Sequence, residues 1–278
     1  MPSTPPEAIA RAAALLLDAD GLLVAAGAGI GVDSGLPDFR GAAGFWRAYP
    51  ALARRRMSFH EIACPDSFDS DPRLAWGFYG HRLALYRRTL PHAGFALLRA
   101  LGERMVHGSF VFTSNVDGQF QRAGFADGQV AECHGSIHYL QCTRSCCDAI
   151  WPAEGFQPEV DAAQCRLVSA LPHCPRCGAL ARPNILMFHD GAWIDARTAR
   201  QFERLASWRA GVARPAVIEL GAGTDIPSVR RFAESQGVPV IRVNPRDAQV
   251  GNGIALEMGA LAAMQALAMA AGLDLAQH

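Results

Sequence analysis

The chain has 278 residues, 50% of them apolar, with 26 basic residues that are all Arg and 26 acidic ones. That is enough apolar material for one large domain, or for a large domain carrying smaller inserts. Zero net charge gives no electrostatic footprint for nucleic acid or an anionic membrane surface, and a chain without Lys cannot be regulated by acylation of its own lysine side chains.

Taken in order, residues 5–17 read as an Ala- and Leu-rich helix. The apolar run Leu22, Leu23, Val24, Ala25, Ala26 follows as a buried parallel strand. From 42 to 88 strand signals are few. Trp46, Phe59, Phe68, Trp76, Phe78 and Tyr79 fall in short helical pieces separated by Pro50, Pro65 and Pro72, which predicts a helical insert (46–90). Alternation resumes with a helix over 91–104, a strand over 109–113, a short helix over 119–123 and a strand over 129–132. Residues 142–177 form a second insert rich in Cys and Pro, the core of a module at 141–181. Then come an extended stretch at 185–188, helices at 195–210 and 226–236, and strands at 216–220 and 238–243. Segment 254–273 is the most hydrophobic. It holds Glu257, Gln265 and several small residues, so a buried C-terminal helix is expected rather than a membrane span. Repeated strand-then-helix order predicts an α/β fold with a doubly wound, mostly parallel sheet built from 1–45, 91–140 and 182–278. Ligands of such a sheet sit at the carboxyl ends of its strands.

The candidate chemistry lies at those ends. Residues 27–41 read GAGIGVDSGLPDFRG. Glycines closing a strand bring backbone N–H groups against a pyrophosphate, and Gly27, Gly29 and Gly31 lack the Cβ atoms that would block its approach. Asn115 and Asp117 follow the Phe-rich strand directly, where such residues also commonly form turns. His134 ends a buried strand and precedes Gly135, a sharply turned setting for a side chain suited to proton transfer near neutrality; His138 is expected to be structural. Cys174 and Cys177 form a zinc-ribbon knuckle, with Cys142 and either Cys146 or Cys147, Cys146 favoured, as the other half. Four thiolates without an open position make a structural Zn²⁺ site, and Cys64, Cys133 and Cys165 look like spares. Metal-type Cys spacing and the lack of a signal-peptide pattern predict a reducing, cytoplasmic setting. Gly221 and Gly223 suit close approach to a phosphate or ribose. Tyr79 and Arg82, three apart, share a helix face and could together hold a carboxylate.

The glycine run with Pro37, Asp38, Phe39 and Arg40 behind it resembles the signature of the sirtuins, the NAD-dependent protein-lysine deacylases. The blocks at 113–118, 132–136 and 142–177 match that family in the same order, and the resemblance runs from about residue 8 to 267. It implies that NAD is consumed as a co-substrate, yielding free lysine, nicotinamide and O-acyl-ADP-ribose. Gly27, Ala28, Gly29, Asp33, Pro37, Asp38, Phe39 and Arg40 would hold the dinucleotide, with Phe39 shielding the ribose carbon and Arg40 binding phosphate. Ser114, Asn115, Val116 and Asp117 would meet the nicotinamide and its ribose, and His134 would be the general base. Gly221, Ala222, Gly223 and Asn244 would take the adenosine side. Met187, Phe188 and His189 align with a segment that pairs with the substrate peptide as an added strand. Tyr79 and Arg82 match sirtuins that prefer succinyl- or malonyl-lysine, with plain deacetylation as the alternative. Two departures stand out: Ser114 replaces the usual Gln, and His189-Asp190 replaces Gly-Glu. The partners implied are acylated protein lysines. Mono-ADP-ribosylation of protein or NAD hydrolysis at the same site, and non-enzymatic NAD sensing, are the rival readings.

Overall fold

The computed structural model describes residues 5–38 and 41–273. Helix α1 (Pro6–Asp18) leads into β1 (Gly21–Ala26), and a 3-10 turn (Ala28–Ser34) follows. Five helices come next: α2 (Gly41–Ala48), α3 (Pro50–Arg54), α4 (Phe59–Ile62), α5 (Asp66–Ser70) and α6 (Pro72–Arg88). Then come α7 (Ala93–Glu103), β2 (Ser109–Thr113), α8 (Gln119–Arg122), β3 (Val130–Glu132), β4 (Gly135–Cys142), β5 (Ile150–Pro152), β6 (Val160–Asp161), β7 (Arg166–Leu167) and β8 (Ala181–Ile185). The chain closes with α9 (Ala196–Gly211), β9 (Pro215–Leu220), α10 (Ser228–Glu234), β10 (Val240–Val243), β11 (Gly253–Leu256) and α11 (Ala260–Ala270).

The main sheet has the order β11-β10-β9-β1-β2-β3, and every pairing in it is parallel. This is the Rossmann strand order read from the far edge. All six residues of β1 and all five of β2 are buried, as a sheet covered on both faces requires. The faces alternate along β1. Leu22, Val24 and Ala26 pack with α1, α7 and α11, whereas Leu23 and Ala25 pack with α9 and α10. The chain leaves β1 towards β2 on one side and returns to β9 on the other, so the crevice opens where β1 and β9 diverge.

Segments 41–88 and 135–187 build a second body with one shared core. The Trp76 indole donates to the Ala181 carbonyl (2.9 Å), and Arg87 donates to the carbonyls of Ala153 and Phe156. The salt bridge Arg166–Asp71 (2.7 Å) ties β7 to the start of α6. Helical insert and cysteine-rich insert thus pack as one unit beside the mouth of the sheet.

Two local expectations change. The apolar segment at 254–273 begins as β11 and only then becomes α11, because Ile254 and Leu256 continue the parallel ladder beside β10. The extended segment near 185–188 is strand only up to Ile185. Beyond it Leu186 N–H donates to the His134 carbonyl and Phe188 N–H to Ala63. Among the described residues, no helix is long and apolar enough to cross a membrane.

Candidate active site

Three strands of the main sheet end together. The loop after β1 meets the loop after β9 in backbone contact: Gly29 N–H donates to the Gly221 carbonyl (3.0 Å) and Gly27 N–H to Leu220 (3.0 Å). A Cβ on Gly29 would lie 2.7 Å from Gly221 Cα, and one on Gly27 2.8 Å from Ala222 Cα. The glycines at 27 and 29 are therefore required by the neighbouring loop, a packing demand that the sequence did not show. Gly31 packs against the Leu36 side chain instead. Gly223 is the open position: nothing lies within 4 Å of where its Cβ would sit.

Asn244 is buried and hydrogen-bonded through both ends of its amide. Its Nδ2 donates to the Ala222 carbonyl (3.1 Å), while its Oδ1 accepts from the N–H groups of Arg246 and Asp247. Arg230 Nε and a terminal nitrogen also donate to Ala222 O, and the latter reaches Asp247 O as well. Together they clamp the loops after β9 and β10. Asp33 is exposed and accepts from Leu261 N–H (2.8 Å) in the first turn of α11, as expected of a carboxylate near a helix N-terminus. Pro37 and Asp38 reach the surface; Phe39 and Arg40 lie outside the described residues.

The loop after β2 carries the next group. Asn115 Nδ2 donates to the Gly27 carbonyl (3.1 Å), and Thr113 Oγ1 accepts from Asn115 N–H, so the amide links the β1 and β2 loops. Ser114 N–H donates to the Ala26 carbonyl. Val116 packs into the second core, and its carbonyl accepts from Ile137 N–H at the start of β4. Asp117 is 8% exposed. Its Oδ1 accepts from Gln119 N–H (2.9 Å), and His138 Nε2 bonds its carbonyl (2.9 Å), the structural part expected of His138. Burial pushes the Asp117 carboxyl up to about 6, with nearby Glu132 adding to the effect and Arg82 opposing it.

That shift has a sign. The folded chain holds the Asp117 proton more tightly than an unfolded one, whose carboxyl titrates near 3.8. Below that value the group costs nothing; as pH rises to about 6 the penalty grows and is then complete. It corresponds to about 3 kcal/mol. Asp117→Asn, which keeps an acceptor for Gln119, is expected to raise the thermal midpoint at pH 7.5 but not at pH 4, and to abolish turnover. Thermal melts at both pH values with matched activity assays check this. An equal gain at both would contradict the charge argument.

His134 lies two residues beyond the end of β3. Its N-terminal neighbour Cys133 donates its N–H to Thr113, and Leu186 N–H caps the His134 carbonyl. The imidazole is half-buried. Burial lowers its pKa, and a hydrogen bond to the Ser114 backbone opposes that, so the ring is neutral at pH 7 and able to accept a proton. Gly135 turns the chain at φ 76°, with Asn184 O only 2.2 Å from where a Cβ would be. The sharp turn expected after His134 is thus demanded by β8.

Sequence reading gave Glu132 no part. It is 1% exposed and anchors α9 to β3 by a salt bridge from Arg197 (2.5 Å) and a bond from Gln201 (3.2 Å). An acid inside an apolar strand was the available signal, since such a charge needs a partner.

In the segment after β8, Met187 is buried and the Phe188 ring centre lies 4.0 Å from that of His60, the two planes tilted by 49°. His189 is exposed and adopts φ 57°, so the histidine keeps a backbone shape usual for glycine. Asp190 fixes it there. Its two oxygens take a bidentate bridge from buried Arg182 (2.8 and 2.8 Å) and accept from Met187 and Ala192 N–H. Tyr79 and Arg82 lie side by side on α6, 1% and 8% exposed. The Arg82 guanidinium sits among the rings of Phe78, Tyr79 and Tyr86.

In the insert, the sulfurs of Cys142, Cys146, Cys174 and Cys177 all lie within 4.8 Å of one another. Cys142–Cys177 is 3.6 Å and Cys146–Cys174 is 3.7 Å. Thiolates bound tetrahedrally at about 2.3 Å stand about 3.8 Å apart, so this donor set fits one Zn²⁺. Cys147 Sγ lies 3.6 Å from Cys146 but outside the group of four.

The Sir2 family model matches residues 27–206. An NAD-dependent protein deacylase of Aeropyrum pernix is 30% identical over 271 residues, 97% of this chain and all of that one. One from Pyrococcus furiosus is 37% identical over 164 residues, which is 59% of each chain. A solved complex of a Sir2 homolog with NAD superposes with a TM-score of 0.69 at 25% identity, over 94% of this chain and 93% of that one. With a Rossmann sheet, a four-thiolate insert and a histidine at the crevice, this chain belongs to the Sir2 family.

Proposed function

We propose that the chain removes acyl groups from protein lysines at the expense of NAD, with His134 as general base. The observation that carries this is the convergence of Asn115, Asp117 and a neutral His134 at the carboxyl ends of β2 and β3, beside the Gly27–Gly221 contact. NAD, when bound, supplies the ribose carbon whose bond to nicotinamide is broken. The loops 27–38 and 221–224 would hold its phosphates and adenosine side. Asn115 would orient the nicotinamide ribose through an amide already fixed by Gly27. The Asp117 carboxylate would bind the carboxamide from a pocket with little water. A ring nitrogen of His134 would accept the proton of a ribose hydroxyl, for which a depressed pKa is the right preparation. Met187, Phe188 and His189 would line the acyl-lysine peptide, which adds as a strand beside the segment following β8. Zn²⁺ would hold the cysteine module in shape and take no part in the reaction.

The acyl group is proposed to be acidic, succinyl or malonyl. A buried guanidinium flanked by aromatic rings suits a carboxylate better than a methyl group. A cytoplasmic location fits cysteines that are all free thiols among the described residues. Acetyl-, succinyl- and malonyl-lysine peptides assayed with NAD test the reading: nicotinamide release should require an acyl peptide and be fastest with the acidic ones. Release without any peptide, or label from NAD remaining on protein, would favour hydrolase or ADP-ribosyltransferase activity instead.

A further inference from the structure

We propose that Tyr86 is a positioning residue that aims the Arg82 guanidinium at the acyl end of the substrate and so sets selectivity for carboxylated acyl chains. This rests on the reading of Arg82 given above. Positions 79, 82 and 86 lie on one face of α6, at spacings of three and four. Arg82 Nε donates to the Tyr86 hydroxyl at 3.0 Å in a buried setting, and the guanidinium carbon lies 5.5 Å from the Tyr86 ring centre. A bond at Nε fixes the plane of the guanidinium and the direction of its terminal N–H pair, the edge that grips a carboxylate bidentately.

Tyr86 is held in turn. Gln119 Nε2 donates to its carbonyl (3.3 Å), and the Gln119 N–H is bonded to Asp117. The end of α6 is thereby tied to the loop assigned to nicotinamide. The core that contains Tyr79 and Tyr86 also contains Val116 from that loop and Met187 from the peptide side. This face of α6 therefore shares its packing with both segments.

The chemistry of the partner matters. A carboxylate at position 86 would orient Arg82 but also neutralise it, removing the attraction for an acidic substrate. A phenol accepts the Nε–H bond and carries no charge, and burial pushes its pKa further up. It orients the cation without adding a charge of its own.

The test is Tyr86→Phe, which removes one oxygen and keeps the ring packing, alongside Arg82→Met. Steady-state constants are measured on succinyl- and acetyl-lysine peptides, with thermal midpoints. Tyr86→Phe is expected to lower the succinyl-to-acetyl ratio of kcat/KM by about tenfold, chiefly through KM for the succinyl peptide, as loss of a hydrogen bond to a charged group implies. Arg82→Met should lower the ratio further. Equal losses on both peptides, or an unchanged ratio in Tyr86→Phe while Arg82→Met lowers it, overturn the role of Tyr86 and leave that of Arg82 standing. An unchanged ratio in Arg82→Met overturns the underlying reading and this proposal with it.

Discussion

Replacing His134 by alanine is expected to cut NAD-dependent deacylation by about 10²- to 10⁴-fold, the range for loss of a positioned general base, while the protein stays folded. The fold should survive because the half-buried ring has the Ser114 backbone as its hydrogen-bond partner, and the bond from Leu186 goes to the His134 main chain, which the substitution keeps. The Gly135 turn is likewise set by the backbone of Asn184 rather than by the imidazole. In the parent protein, activity should decline as pH falls through a value below the 6.5 of an ordinary histidine, because burial makes the ring harder to protonate. Steady-state rates on an acyl-lysine peptide across pH, with circular dichroism of the variant, check both parts. A fully active His134→Ala enzyme would remove the base from the mechanism.

Loss of the metal is expected to be the largest stability effect. Cys174→Ser, or prolonged chelation, should leave segment 142–181 without protection in hydrogen exchange and lower the thermal midpoint of the whole chain. Within the insert the regular structure is short, strands of two or three residues at β5, β6 and β7, too little to order itself unaided. In zinc-dependent peptides the bound metal contributes on the order of 10 kcal/mol or more to folding. The damage should spread, because Ala181 and Leu167 belong to the same core as Trp76 and Tyr79. Strands β1, β2 and β9, buried in a separate core, should retain protection. One Zn²⁺ per chain is expected in the parent and in Cys147→Ser, and none in Cys174→Ser. A Cys174→Ser protein with unchanged melting and exchange would mean that the thiolate cluster is incidental to the fold.

Much of this was legible in residue order because parallel strands buried on both faces advertise themselves. Runs such as Leu22–Ala26 and Phe110–Phe112 admit few other readings, and β2 was placed to the residue. The four cysteines were legible because thiolate spacing is local within each half-site. What could not be read was whatever depends on contacts between distant segments. Tyr86 drew no assignment from residue order, and its bond from Arg82 is seen only in the folded chain. Glu132 looked like a strand residue until α9 brought Arg197 to it. Asn244 also joins the loops after β9 and β10 through its side chain, a link that residue order did not reveal.

Sequence alone therefore determined the strand-helix alternation, the two inserts, the thiolate set apart from the choice between Cys146 and Cys147, and the residues gathered at the strand ends. These follow from periodicity and from motifs of a few residues. Only the tertiary structure decided that the two inserts share one core, that Gly27 and Gly29 serve the contact with Gly221, and that Asp117 is buried deeply enough to shift its titration. Those outcomes depend on through-space distances and on exclusion of water, and neither is a property of residues near one another in the chain.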